Sequence, residues 1–394
     1  MRVGLDLLCL AGPRTGIEAA AWWLAREMPR LEPEIQFVFF LPVGVEPPSD
    51  ASNVEVVRVP IGRYRAARIV AEQWHLPRIA AERRLDLLHA IAYAAPFLYR
   101  GRKLQTVHDL GVLVMPGNSP WRYRAYWKWA YGTAARRCAG LTAVSESTRN
   151  DLVRLLGWNA ARIAVVPSGV DPVFTPAPAT HDLTGRLGRN GLANPYVLFV
   201  GTLQPRKGID TLFETFVLIR HRHADLDLVI AGARGWGYPE PEVMARRHGI
   251  DGAVHHWSGA TLAEIADLYR GARLFLFPSR YEGFGLPPLE AMACGTPVVA
   301  TSTSSLPEVC GDAALFAPVD RADLLAAQAE RILSDPSLAR RMIEKGLTRA
   351  AEFSWPRAAA KMIAVYRGMV HQRPPGWDTR RFGTALPDQP DEPA

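Results

Sequence analysis

Two carboxylates separated by seven residues, Glu282 and Glu290, and an adjacent basic pair, Arg206 and Lys207, are the side chains here best suited to a phosphorylated sugar. A carboxylate accepts hydrogen bonds from neighbouring hydroxyls, so two of them suit two sugar rings flanking a phosphate. A guanidinium fork beside an ammonium point charge neutralises a diphosphate. Between the carboxylates runs EGFGLPPLE, in which Gly283 and Gly285 let a ligand approach the backbone and Pro287 and Pro288 suit a first helical turn. The amides of Gly283, Phe284, Gly285 and Leu286 are then left pointing outward, where a helix dipole attracts phosphate.

These residues must be held at strand ends. Residues 274–277 read as a short buried strand, 278–285 as a loop and 286–294 as a helix stopped by Gly295. An apolar strand returns at 297–301, which makes a strand–loop–helix–strand unit of a parallel sheet. The strand 195–201 likewise delivers GTLQPRKG, and so Arg206 and Lys207, to its carboxyl end before a helix from Ile209. Strand 104–107 places His108 and Asp109 at the edge where open α/β sheets bind ligands, Asp109 reading as a turn residue. Near the start, strand 3–8, loop 9–16 and helix 17–28 put Gly12 and Gly16 at a strand-to-helix turn, with amides able to face a phosphate or sugar. The turn is not G-x-G-x-x-G, which argues against a nicotinamide cofactor. His89 reads as a structural histidine.

EGFGLPPLEAMACGTPVVAT resembles the Glu-x(7)-Glu signature of glycosyltransferase family 4, retaining enzymes of GT-B fold, and the resemblance extends through TVHDL, GTLQPRKG and LPEVCGDAALFAP to about residue 370. It implies two Rossmann-like, doubly wound α/β domains facing across a cleft: residues 1–171 as acceptor domain, 172–194 as linker, 195–355 as donor domain, and helix 356–372 crossing back onto the first domain. It also implies roles. Glu282 would contact the transferred hexose, Glu290 the ribose, and the amides of Gly283 to Leu286 the hexose and diphosphate. Arg206 and Lys207 would stabilise the departing diphosphate, His108 would lie beside the sugar, and Gly16 would belong to a loop closing on the donor.

The implied reaction is retaining hexose transfer from a nucleoside-diphosphate sugar to a glycan or polyprenyl-diphosphate-linked acceptor, with no metal and no cofactor. The LPPLEAMA and SSLPEV strings are closest to relatives that use mannose or rhamnose from GDP-sugars in surface polysaccharide and lipopolysaccharide synthesis. A nucleotide-sugar epimerase or sugar phosphorylase of the same fold, or a non-catalytic nucleotide-sugar-binding protein, are the alternatives; retention of Arg206, Lys207, Glu282 and Glu290 disfavours the last.

The 394 residues, 48% apolar and 22% charged, suit a soluble protein of two domains. Asp6 interrupts the opening apolar run, which reads as a strand rather than a signal peptide. No apolar run is long enough to span a bilayer, and a cytoplasmic protein is expected. Cys9, Cys138, Cys294 and Cys310 are too scattered for a zinc site or disulfide framework. Residues 1–170 hold 22 Lys and Arg against 14 Asp and Glu, a balance of +8, while the remainder balances to −1, so the first half meets something anionic. Residues 110–145 lack any acid and crowd aromatics with basic residues, including Trp121, Arg122, Arg124, Trp127 and Lys128. This suits an anionic membrane surface or lipid diphosphate acceptor, or else a helix with aromatics in the core and arginines in water. Nucleic acid has no accompanying motif. Residues 373–394, rich in proline and charge, are expected to be disordered.

Overall fold

The computed structural model describes residues 1–12, 16–61, 65–118, 121–178, 182–189 and 191–371. The expected disordered tail and part of the Gly12–Gly16 turn lie outside the described residues. Apolar runs, among them those identified above, form two parallel sheets, whose strands are labelled β1 to β13 in chain order. The first comprises β1 (Arg2–Asp6), β2 (Gln36–Pro42), β3 (Val54–Val59), β4 (Leu87–Ala90), β5 (Lys103–Val107), β6 (Gly140–Ala143) and β7 (Ile163–Val165), in the order β3-β2-β1-β4-β5-β6-β7. The second comprises β8 (Tyr196–Val200), β9 (Asp227–Ala231), β10 (Val254–Trp257), β11 (Leu274–Phe277), β12 (Val298–Thr301) and β13 (Ala314–Ala317), in the order β10-β9-β8-β11-β12-β13.

In each sheet the strand order reverses once, between β1 and β4 and between β8 and β11. Such a switch point opens a crevice at the carboxyl ends of the strands, where open α/β sheets take ligands. The sheet order therefore decides the site. The loop after β8 carries Arg206 and Lys207, and the loop after β11 carries Glu282, so residues 75 or more apart in sequence are brought face to face.

The last helix, Trp355–His371, packs into the first domain's core, where Trp355, Met362 and Tyr366 are buried among Val3, Leu24 and Met28. Its approach is tight: a Cβ on Gly169 would lie 2.3 Å from the Trp355 nitrogen, and Trp355 stacks on Trp23. Buried His89 bonds the Tyr366 hydroxyl at 2.6 Å through Nδ1 and Thr106 at 2.7 Å through Nε2, and burial pushes its pKa down to about 3. It is thus a neutral structural histidine tying this helix to the sheet. Tyr366→Phe keeps the ring but leaves a buried ring nitrogen unpaired, and a stability loss of about 1–3 kcal/mol is expected. Denaturant unfolding of the two proteins measures it.

The segment 121–137 is not one amphipathic helix. A helix over Trp121–Trp129 gives way to a π turn at Ala130–Ala134 and a 3-10 turn at Ala135–Arg137. Trp127 is a correction to the surface reading: it is buried, stacked on Tyr131 at 4.9 Å and edge-on to Tyr123 and Tyr126. Arg124 donates to the Pro116 carbonyl, whereas Trp121, Arg122 and Lys128 remain exposed. All four cysteines are buried free thiols.

Candidate active site

Two strand-end loops build the centre of the second domain's crevice. After β8, Gly208 adopts φ 64°, and a Cβ there would lie 2.2 Å from the Pro278 carbonyl, so a glycine is required for the Arg206–Lys207 turn to lie against the β11 loop. Glu282 then sits between both cations, 2.9 Å from Arg206 and 2.6 Å from Lys207, and accepts from the Ser279 hydroxyl at 2.6 Å. It is 6% exposed, so it is not the solvated loop carboxylate an isolated glutamate would be. Burial alone would raise its pKa, but the two cations outweigh it and hold the carboxyl at about 2. Burial lowers Lys207 to about 8 despite Glu282's opposing charge. Both Glu282 oxygens are engaged by the protein.

The loop itself is fixed by hydroxyls that sequence reading missed. Ser304 accepts the Glu282 amide at 2.8 Å, and the Ser305 hydroxyl lies 2.7 Å from the Phe284 carbonyl. With its carbonyls so held, the loop leaves the amides of Gly283, Phe284, Gly285 and Leu286 without a hydrogen-bond acceptor among the described residues. They precede or open the helix Leu286–Ala293 as expected, and buried Phe284 anchors the turn edge-on against Phe353. Gly285 has φ 107°, which a side chain rarely adopts.

A requirement beyond ligand approach also makes residue 283 glycine. A Cβ there would lie 1.8 Å from the His108 carbonyl of the first domain. Around this contact the Gly283 carbonyl accepts from Ser145 at 2.6 Å and Thr148 at 3.0 Å. Tyr281 donates to Asp151 at 2.9 Å and accepts from the Leu110 amide at 3.3 Å. Glu308 accepts the amides of Glu146 and Ser147, capping the first-domain helix Glu146–Leu156 from the opposite domain. The first domain therefore closes directly on the Glu282 loop.

Glu290 stands inside the same helix, half-buried, with Tyr269 donating to it at 3.0 Å. Burial, reinforced by Asp171's charge and opposed by Tyr269, pushes its pKa up to about 7. A carboxyl that holds its proton longer when folded adds stability below its ordinary range, about 4.5, and loses it as pH rises through 7. In a thermal-unfolding pH series, Glu290→Gln should therefore flatten the wild type's fall in stability between about pH 4.5 and 7.

On the first domain's side, His108 Nε2 lies 2.7 Å from the Ile91 carbonyl. A carbonyl only accepts, so Nε2 carries the proton. Burial lowers the ring's pKa and keeps it neutral, leaving Nδ1 as an acceptor. Asp109 accepts the Gly111 amide and is a turn residue. Gly16 opens the helix Gly16–Leu31 with φ 30°, exposed, with nothing within 4 Å of where a Cβ would stand. Sequence reading assigned nothing to the polar wall beside it. Tyr93 donates to Glu18 at 2.9 Å, and Arg68 pairs with Glu72 and covers the Tyr93 ring. A π turn at Ala71–His75 carries Glu72, and such turns favour functional positions.

The family model described as Glycosyltransferase Family 4 matches residues 14–174, and that described as Glycosyl transferases group 1 matches residues 189–349. The O-antigen chain mannosyltransferase B of Escherichia coli is 31% identical over 281 residues, covering 70% of this chain and 74% of its own. Among solved structures, sucrose-phosphate synthase from Thermosynechococcus elongatus superposes with a TM-score of 0.74 at 20% identity, covering 94% of this chain and 99% of its own. Anabaena Alr3699/HepE, in complex with UDP and glucose, gives 0.72 at 19% identity over 93% and 100%. The shared architecture is the GT-B fold.

Proposed function

Because the chain belongs to glycosyltransferase family 4, its second half being a glycosyl transferases group 1 unit, we propose that it transfers a hexose with retention from a nucleoside-diphosphate sugar to a hydroxyl of a glycan or lipid-linked acceptor. The observation that carries this reading is the Arg206–Lys207 pair held by Glu282, whose own loop continues into four amides without an acceptor among the described residues, at the sheet's switch point. Fixed cations and amides aimed at one place stabilise charge developing on a leaving diphosphate without reorganising. The acceptor oxygen attacks the anomeric carbon from the face the diphosphate leaves. The bond to phosphate breaks, and the departing phosphate oxygen takes the acceptor proton. No protein nucleophile is needed.

In this reading Glu282 sets the two cations and borders the hexose, Glu290 accepts from the ribose hydroxyls, and His108 Nδ1 accepts a sugar hydroxyl across the cleft. Gly16 borders the diphosphate. Two fixed cations supply the neutralising charge, so the reading assigns no metal to the step. Mannose is favoured by the mannosyltransferase relative, a GDP-sugar is the donor assigned to it in this reading, and uridine sugars are competitors because HepE is known with UDP. A polyprenyl-diphosphate-linked glycan in cell-envelope polysaccharide synthesis would bring the protein to the inner membrane face.

The test is a panel of GDP-, UDP-, ADP- and TDP-sugars with soluble oligosaccharide acceptors in the presence of chelator. Nucleotide release and the product's anomeric configuration are read together. One donor class giving a product of retained configuration supports the reading. Sugar phosphate or epimerised donor without acceptor glycosylation would replace transfer by phosphorolysis or epimerisation.

A further inference from the structure

The first domain carries a cavity of about 550 Å³ away from the cleft. Arg84 and Leu85 on its wall lead into β4, and Arg100 and Gly101 lead into β5. The cavity therefore opens at the amino-terminal edge of the sheet, whereas His108 leaves the carboxyl-terminal edge of β5. Five residues at about 3.3 Å each separate the two edges by roughly 17 Å. A ligand here is neither the donor nor the reacting acceptor sugar.

Trp74, Pro77 and Leu98 make the wall apolar, and Arg78, Arg84 and Arg100 ring it. No carboxylate lines it, and none of these three exposed arginines has a carboxylate partner among the described residues. Nearby arginines do: Arg83 pairs with Glu55 and Arg68 with Glu72. Two large apolar side chains of the same wall are exposed, Trp74 at 54% and Leu98 at 46%. Such a patch beside unneutralised guanidiniums fits a surface that is anionic outside and apolar just beneath. A free phosphate would use the arginines but not the projecting rings and branches. Arginine reaches headgroup phosphates while its stem lies along apolar surface.

We propose that this face docks on an anionic phospholipid bilayer, with lipid phosphate held among Arg78, Arg84 and Arg100 and with Trp74 and Leu98 entering the headgroup boundary. The proposal concerns attachment and is independent of the donor. It moves the membrane contact from 121–137, where Trp127 is core, to a helix and loop at the far end of the sheet. The cleft then faces away from the bilayer, toward sugars that stand off its surface.

The full chain is sedimented with vesicles of phosphatidylcholine alone or mixed with phosphatidylglycerol, at low and raised salt, with inorganic phosphate as competitor. Binding only to the mixed vesicles, weakened by salt, is expected. Arg78→Gln/Arg84→Gln/Arg100→Gln should reduce it about a hundredfold, from the usual contribution of each basic residue at such a surface. Trp74→Ser/Leu98→Ser should weaken it while keeping its salt dependence, and both variants should keep the wild type's unfolding temperature and its rate on soluble acceptor. The proposal is overturned by absent or lipid-indifferent binding, or by binding that survives the triple change but is lost in Arg122→Gln/Lys128→Gln. Saturable inorganic phosphate binding that depends on the three arginines without vesicle binding would likewise replace it by a soluble-anion site.

Discussion

Gly283→Ala is expected to lower the transfer rate by about a hundredfold or more while each domain stays folded. The added methyl would lie 1.8 Å from the His108 carbonyl, a backbone atom that cannot step aside as a side-chain tip would. The Asp109 Cβ at 2.7 Å closes the other direction of escape. The clash lies between domains, so it is relieved by opening the cleft rather than by unfolding either core. Opening breaks the Ser145, Thr148 and Tyr281 contacts and moves the Glu282 loop from His108. A misplacement of about 1 Å at a reacting centre costs on the order of a hundredfold. Steady-state rates paired with small-angle scattering measure it: the variant should be slow and have the larger radius of gyration. A wild-type rate with an unchanged radius would mean that turnover does not use this closed contact.

The loops that carry charge were legible in the sequence because each is local. EGFGLPPLE and QPRKG are single turns between an apolar strand and a helix, and glycine and proline mark their bounds. The alternation of strands and helices then gives the parallel sheets. What joins the loops is not local. Asp151 reaches Tyr281 across 130 residues, and Glu308 reaches Glu146 across 162, with no spacing rule connecting them. Gly283 illustrates the limit, since a glycine beside a phosphate and a glycine beside another backbone look alike in one dimension. The aromatic segment shows a second limit. Trp121 and Trp127 stand six residues apart on one regular helix and so face different sides, but with aromatic and basic residues all round, composition does not say which side meets the core.

Glu282→Gln tests the centre of the site, and two linked losses are expected from it. Lys207, buried and already lowered to about 8, loses the carboxylate that supports its charge, while Arg206 stays cationic beside it. Its proton should then leave at lower pH, and both cations lose the carboxylate that fixes their positions for the diphosphate. The rate should fall by about a hundredfold to a thousandfold, the usual effect of removing one group that organises transition-state charge. Breaking a buried ion pair on one side should also cost about 3–5 kcal/mol of stability. The pH sense is fixed by direction. A carboxyl held at about 2 when folded stabilises the protein above its ordinary range, and that contribution disappears as pH falls from about 4.5 toward 2. The variant should lack this acid-side loss, and nucleoside diphosphate should raise its unfolding temperature more than the wild type's, because the ligand supplies the missing anion. Unfolding curves from pH 3 to 8, with and without nucleoside diphosphate, separate the two effects. An unchanged rate with an unchanged acid limb would remove Glu282 from the reaction and from the charge cluster together.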